Sequence, residues 1–320
     1  MKTNTPTPKK SLGQVLLNDP DVAYQIVELS GLNPGAQVLE IGPGGGMLTH
    51  FLLKRQVVYT GCEIDSRMAK LLAGKFSYLP NFRLLEQDIM AADPDTIFPT
   101  DDFHIIGNIP YHLTSPILFK FFDYVKRGWE SGWPLRLKTM TIMLQKEVAD
   151  RLLSSPKTKL WGILSIQTSL FADIQFLLAV PAEKFHPQPK IDSSVIKLTF
   201  RPSCPYQIDD YGLFTEILRA VFARRRKMLR NTLKPFNPPD DFPIDLQKRP
   251  EELSAADFAE LVNYLYRVDN TVIMDTGFRQ YDAILAFSDR LFRGNDGLVI
   301  FGTERCSVPT SSLFSKQTVS

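Results

Sequence analysis

The chain has 320 residues, 44% hydrophobic and 22% charged, with a net charge of +2 at neutral pH. That length favours two domains, and that mixture excludes a disordered chain, a collagen-like repeat or a coiled coil. No apolar run approaches the ~20 residues of a membrane span, the polar start MKTNTPTPKK predicts no secretory leader, and three scattered cysteines (Cys62, Cys204, Cys306) without a CxxC pair predict a soluble cytoplasmic protein with neither a disulfide framework nor a metal site.

In chain order, short apolar or β-branched runs at 37–41, 57–62, 82–86, 103–107 and 140–144 read as strands. Helix-like stretches lie between them, among them 47–53, 66–76 and 115–125. Strands alternating with helices predict βαβ units and an α/β fold with a mainly parallel, Rossmann-like sheet. A further strand is expected at 194–200, followed by a linker at Arg201-Pro202-Ser203-Cys204-Pro205. Beyond the linker the apolar residues of 211–233 recur at helical spacing, and 254–266 reads as a second helix with Ser254 as its N-cap. Arg225 falls inside the apolar arc of the first of these, so the helix breaks near it or Arg225 has a buried partner. The expected division is a catalytic domain over 1–203, a small all-α domain over 204–268 and a C-terminal extension over 269–320.

Charge is unevenly spread. Residues 184–234 hold eleven Lys/Arg and four Asp/Glu, a net +7 that leaves the rest of the chain at −5. Such asymmetry suits a polyanion on one side, and a solvated helix face is the alternative.

The first strand ends in Glu40-Ile41-Gly42-Pro43-Gly44-Gly45-Gly46, where glycines let backbone approach a ligand and turn into a helix. Glu63 ends the second strand, twenty-one residues after Gly42, the place of a ribose-binding acid. Asp88, at the end of the third, can accept from an adenine amine. An adenosine cofactor follows. Met47 stands where a dinucleotide fingerprint needs its third glycine, and Glu40 suits a cofactor with a cationic amino-acid end. Both favour S-adenosylmethionine (SAM) over NAD.

Asn108-Ile109-Pro110-Tyr111 ends the fourth strand. An adenine N6 amine is a weak nucleophile because its lone pair is delocalised into the ring. Two acceptors aimed at its hydrogens, Asn108 Oδ1 and the Ile109 carbonyl held out by Pro110, draw it toward a tetrahedral geometry, and Tyr111 can stack on the base. Together with Lys10–Gln14, Glu63–Asp65, 143–152, 185–195 and 225–231, these motifs resemble the small-subunit ribosomal RNA adenine dimethyltransferases, the KsgA/Dim1 group, over about residues 9–266.

The resemblance implies dimethylation of N6 on two adjacent adenosines in a hairpin loop near the 3′ end of 16S rRNA, with four SAM molecules used per rRNA. It implies cofactor contacts at Leu17, Gly42, Glu63, Asp88 and Asn108, with Val15, Glu40 and Gly44 in the same loops, and Phe185 facing Tyr111 across the target-base pocket. It also favours rRNA phosphates as the partners of Arg224, Arg226, Lys227 and Arg230, in a protein expected to act as a monomer on the 30S particle, away from membranes. The family pattern Gly-Gln-Asn-Phe-Leu reads Gly13-Gln14-Val15-Leu16-Leu17 here, so Val15 has lost a side-chain amide and weaker SAM binding is expected. An Erm-type 23S rRNA methyltransferase and a non-enzymatic RNA-binding assembly or transcription factor are the alternatives.

Overall fold

The computed structural model describes residues 5–236, 238 and 242–276. Strands are β1 (Leu16–Leu17), β2 (Gln37–Ile41), β3 (Val58–Glu63), β4 (Phe82–Glu86), β5 (Phe103–Asn108), β6 (Leu137–Gln145), β7 (Ala172–Val180), β8 (Phe185–His186) and β9 (Ser193–Phe200). Helices are α1 (Pro20–Ser30), α2 (Met47–Lys54), α3 (Ser66–Phe76), α4 (Pro94–Ile97), α5 (Thr114–Ser131), α6 (Lys146–Leu152), α7 (Ile163–Phe171), α8 (Tyr211–Phe222), α9 (Leu229–Thr232) and α10 (Ala255–Thr276).

Seven strands form one sheet in the order β4-β3-β2-β5-β6-β9-β7. The first five are parallel, and β9 runs antiparallel to both β6 and β7. The expected mainly parallel α/β sheet is therefore present. Its central strands are apolar because helices cover both faces: Val38, Leu39, Ile105 and Ile106 are all at most 1% exposed.

Local chemistry sets the element ends. Asp19 accepts from the Asp21 and Val22 amides at the start of α1, Pro20 fits the first helical position, and Gly31 ends the helix in the left-handed region. Asp65 caps α3 in the same way through the Arg67 amide.

Three strands and a helix, among others, escape the periodicity reading for identifiable reasons. Along β7 the register shifts between Phe176 and Leu178, which destroys the alternation that marks a strand. The α7 sequence ILSIQTSLF is buried on most sides and shows no polar stripe. The β1–β8 bridge is only two residues long on each side.

The single helix expected over 211–233 is two. The first ends at Phe222; Leu229 N then donates to Lys248 O and Arg230 N to Leu246 O, so the chain exchanges helical hydrogen bonds for pairing with 246–248. Of the two readings of Arg225, the helix break holds, and the partner exists but is only half-buried. Arg225 lies just past the helix end, and it donates to Glu251 Oε2 at 2.7 Å and to the Lys159 carbonyl at 2.6 Å. Ser254 caps α10 as expected, exchanging hydrogen bonds with Asp257, but the helix continues to Thr276. The boundary placed at 268 thus falls inside a helix, and the rest of the extension, with Cys306, lies outside the described residues.

The helical part is not separated from the sheet by a solvent gap. One continuous apolar cluster runs from Phe122, Phe171 and Phe200 into Phe214, Leu218, Phe258 and Leu265. Trp161 Nε1 donates to the Leu253 carbonyl across the same seam.

Candidate active site

The C-terminal ends of β2, β3 and β5 and the loops that leave them line a cavity of about 300 Å³. A strap of chain before β1, including Gln14 and Val15, lies along it. The glycine loop after β2 supplies one wall. Gly44 has φ +53°, so this turn needs glycine for its backbone, and a Cβ there would stand 2.8 Å from Leu16 Cδ2 and push that side chain aside.

The ionisable groups lining the cavity include three carboxylates, Glu40, Glu63 and Asp88, and among the described residues no Lys or Arg. Glu63 ends β3 as expected. Its Oε2 accepts from the Gly44 amide at 2.9 Å and its Oε1 from the Asp65 amide at 2.9 Å, while burial pushes its carboxyl above the usual range. Asp88 lies two residues beyond the end of β4, in the following turn, where Oδ1 accepts from the Met90 amide at 2.8 Å. Cys62 also lines the cavity, and burial raises its thiol to about 12, so it stays a thiol at neutral pH.

Glu40 differs from expectation. It is 1% exposed, and its Oε2 accepts from Thr49 Oγ1 at 2.6 Å and from Tyr59 OH at 2.8 Å. Burial raises its carboxyl to about 7. Much of its bonding therefore ties α2 and β3 to β2, and near neutrality it is only partly ionised. Neither Thr49 nor Tyr59 carries a sequence signal for this; each reads as an ordinary helix or strand residue.

Asn108 closes β5. Its Nδ2 donates to the Val15 carbonyl at 2.7 Å. A carbonyl only accepts, so the NH₂ must face Val15 and Oδ1 must face away from it. Val15, whose side chain departs from the family pattern, thus meets Asn108 through its backbone. Beyond Asn108, Leu113 N donates to Pro110 O and Thr114 N to Tyr111 O, a turn that leaves the Ile109 carbonyl out of its own hydrogen bonds. Tyr111 lines the cavity half-buried, and its OH shares a 3.0 Å hydrogen bond with Ser193 Oγ at the start of β9.

The structure brings Val15, Leu17, Glu40, Gly42, Gly44, Glu63, Asp88, Asn108, Ile109, Pro110 and Tyr111 to this one cavity. It does not bring Phe185 there. Phe185 is 4% exposed, pairs with Leu17 across the β1–β8 bridge and packs in a core cluster with Met143, Val180 and Val195. Strand alternation turns Phe185 inward and exposes His186. Arg224, Arg226, Lys227 and Arg230 are all exposed, and among the described residues none of the four has an ion pair, in contrast to Arg225.

No described helix is long and apolar enough to cross a membrane, and among the described residues no group of three or more His, Cys, Asp or Glu is placed to hold a metal ion.

Comparison with known proteins agrees with this geometry. The profile of the ribosomal RNA adenine dimethylase family matches residues 6–267. Proteins called ribosomal RNA small subunit methyltransferase A from Geobacillus thermodenitrificans and Bacillus cytotoxicus are each 36% identical, over 274 and 276 residues. Those alignments cover 80% of this chain and 90% and 91% of the relatives. Among solved structures, a dimethyladenosine transferase from Plasmodium falciparum superposes with TM-score 0.62 at 26% identity, covering 79% of this chain and 98% of that one. The 23S rRNA methyltransferase ErmE superposes with TM-score 0.55 at 25% identity, covering 78% and 99%.

Proposed function

The chain belongs to the ribosomal RNA adenine dimethylase family and is an rRNA adenine dimethyltransferase; from that premise we propose that it dimethylates N6 of two adjacent adenosines in the hairpin loop near the 3′ end of 16S rRNA, within the 30S particle during its assembly. The observation that carries the reading is the Asn108 amide. Its NH₂ is tied to the Val15 carbonyl, which leaves Oδ1 to act as the acceptor, and Asn108 and Ile109 both line the cavity.

The cavity fits SAM. Glu63 and Asp88, with Glu40 partly ionised behind them and no Lys or Arg among the lining residues, favour a donor that carries cationic groups and disfavour one that carries a pyrophosphate. Glu63 and Asp88 would hold the ribose and adenine ends, with the backbone of Leu17, Gly42 and Gly44 along the rest. When bound, SAM supplies a methyl group already activated by a positive sulfur, so no strong base is required of the protein. Asn108 Oδ1 and the Ile109 carbonyl would accept hydrogen bonds from the two N6 hydrogens in the first transfer, and one of them from the single remaining hydrogen in the second, directing the nitrogen lone pair out of the ring; each transfer releases one N6 proton to solvent. Tyr111, with its OH fixed by Ser193, offers a flat face for the extruded base. Positioning and fixed dipoles supply the acceleration. The exposed cations at Arg224, Arg226, Lys227 and Arg230 give the rRNA backbone a place to dock.

The test offers methyl-labelled SAM to undermethylated 30S particles, 50S precursors and naked rRNA, followed by mapping of the label. Label on adjacent adenosines of 30S is expected. Label on 23S rRNA would reassign the chain to the Erm-type enzymes, and binding to 30S without transfer would overturn the catalytic reading.

A further inference from the structure

We propose that Asp65 is a positioning residue for methyl transfer: it anchors the N-terminal strap whose carbonyl at Val15 holds the Asn108 amide with its oxygen outward. The inference rests on the function proposed above and deepens it, since no motif assigns Asp65 a part in the reaction.

Asn108 depends on a distant partner. Its amide is held by a residue 93 positions earlier in the chain and not by a neighbouring sheet strand. The orientation of the catalytic acceptor therefore depends on where the strap sits. The strap is pinned at two places. At its C-terminal end, Leu16 and Leu17 pair with His186 and Phe185. At its N-terminal end the fastening is Asp65.

Asp65 is suited to that task. Its side chain is 0% exposed. Its Oδ2 accepts from Gln14 Nε2 at 3.2 Å, one residue before Val15, and its Oδ1 lies 3.5 Å from Lys9 Nζ. Arg67 donates to Asp65 at 2.7 Å through Nη2 and at 3.1 Å through Nε, and its Nη1 donates to the Thr7 carbonyl at 3.2 Å. Gln14 Oε1 in turn accepts from the Lys9 amide at 2.8 Å, which closes residues 9–14 into a loop. Strap residues 7, 9 and 14 thus converge on one carboxylate and its arginine. Asp65 itself cannot drift: it caps α3 through the Arg67 amide, and its own amide donates to Glu63.

The chemical consequence follows from the two faces of an amide. Turned by half a revolution, Asn108 would aim NH₂ at the N6 amine, donor against donor. With Val15 in place only one face is offered; with the strap loose both are sampled. Loss of the anchor should therefore lower turnover and leave rRNA docking, which uses other surfaces, unchanged. Asp65 is not among the residues lining the cavity and acts through Gln14 and Val15.

The test uses the full chain. Asp65→Ala is expected to lower kcat on undermethylated 30S by about tenfold to a hundredfold while KM for 30S stays within about twofold. The Asn108 side-chain amide resonances should lose their slow hydrogen exchange, and tryptic cleavage after Lys9 should accelerate. Asp65→Asn keeps an acceptor for Gln14 and should recover part of kcat. Gln14→Ala, which leaves the α3 cap intact, gives the same readouts should Asp65→Ala fail to fold. If cleavage after Lys9 accelerates but kcat and the Asn108 resonances are unchanged, the proposal is overturned. If the wild-type protein transfers no methyl group to rRNA, the functional reading fails, and the Asn108 resonances still decide whether Asp65 sets the amide.

Discussion

Gly107 on β5 faces Ile41 on the parallel strand β2 so closely that a Cβ on Gly107 would lie 2.6 Å from the Ile41 carbonyl oxygen. The contact is backbone to backbone, and it sits one residue before Asn108. Gly107→Ala must push the two strands apart, at a cost of ~1–3 kcal/mol. Thermal unfolding should show a fall of several degrees, and methyl transfer should fall more than stability alone accounts for. An unchanged melting temperature would mean that the strands are less tightly apposed than described.

Asn108→Ala removes the acceptor and leaves Val15 without its donor. Turnover on 30S should drop by about a hundredfold or more, in the range of losing one preorganised electrostatic partner. Affinity for the particle should persist, because the exposed cations are untouched. Parallel measurement of single-turnover methyl transfer and 30S binding checks this; near-normal turnover would remove Asn108 from the chemistry.

Glu40 gives a pH signature. Burial raises its carboxyl from 4.5 to about 7, so between those values the folded protein binds more protons at this site than the unfolded chain. Stability from Glu40 is fully present at low pH and is lost as pH rises toward 7, a swing on the order of 3 kcal/mol. Burial also raises Glu63, with the same sign. Glu40→Gln still offers an oxygen to Thr49 and Tyr59. Urea unfolding at pH 5, 6, 7 and 8 should therefore show a flatter fall in the variant and greater stability than wild type at pH 8. Parallel curves would show that Glu40 is ionised throughout.

Five neighbouring cations separate into two kinds. Replacing the exposed Arg224, Arg226, Lys227 and Arg230 with alanine should lower the dependence of log K on log salt by roughly 3, as phosphate contacts are lost. Arg225→Ala should instead lower the melting temperature, because it frees Glu251 and the Lys159 carbonyl, and should leave the salt slope unaltered. If Arg225→Ala changes the slope and the four others do not, the surface is assigned the wrong way round.

Much of the sheet was legible because four of its five parallel strands are short apolar runs that run into glycine, acid or Asn108, where backbone geometry and chemistry coincide. The residues that escaped depend on partners far away in sequence. Phe185 carries the same aromatic ring whether it lines a pocket or a core, and only the Leu17 pairing and strand alternation decide. Val15 was read by its side chain, whereas its contact with Asn108 is made by a carbonyl that every residue possesses. Asp65 was visible inside Glu63-Ile64-Asp65, yet nothing local shows that residues 7, 9 and 14 gather around it. The break after Phe222 was signalled by Arg225 but not located, since it depends on pairing with 246–248.

The reversed strand β9 has a consequence for how this enzyme can be remodelled. Because it runs against β6, Ser193 at its beginning pairs with Gln145 at the end of β6, so residues just before β9 arrive on the same rim as the loops after the parallel strands. The rim is thereby composed by two separate stretches of chain: the donor side by residues up to 113, and the side that fastens Tyr111 by residues beyond 180. Length or chemistry can change in 187–192 while the glycine loop and Glu63 stay as they are, but Lys184–His186 hold the strap, through the Asn18 amide on the Lys184 carbonyl and the Leu16–Leu17 pairing. The two sides of the rim are thus joined at two stitches, the β1–β8 bridge and the Tyr111–Ser193 hydrogen bond, and only the chain between them is free to vary without reaching the strap.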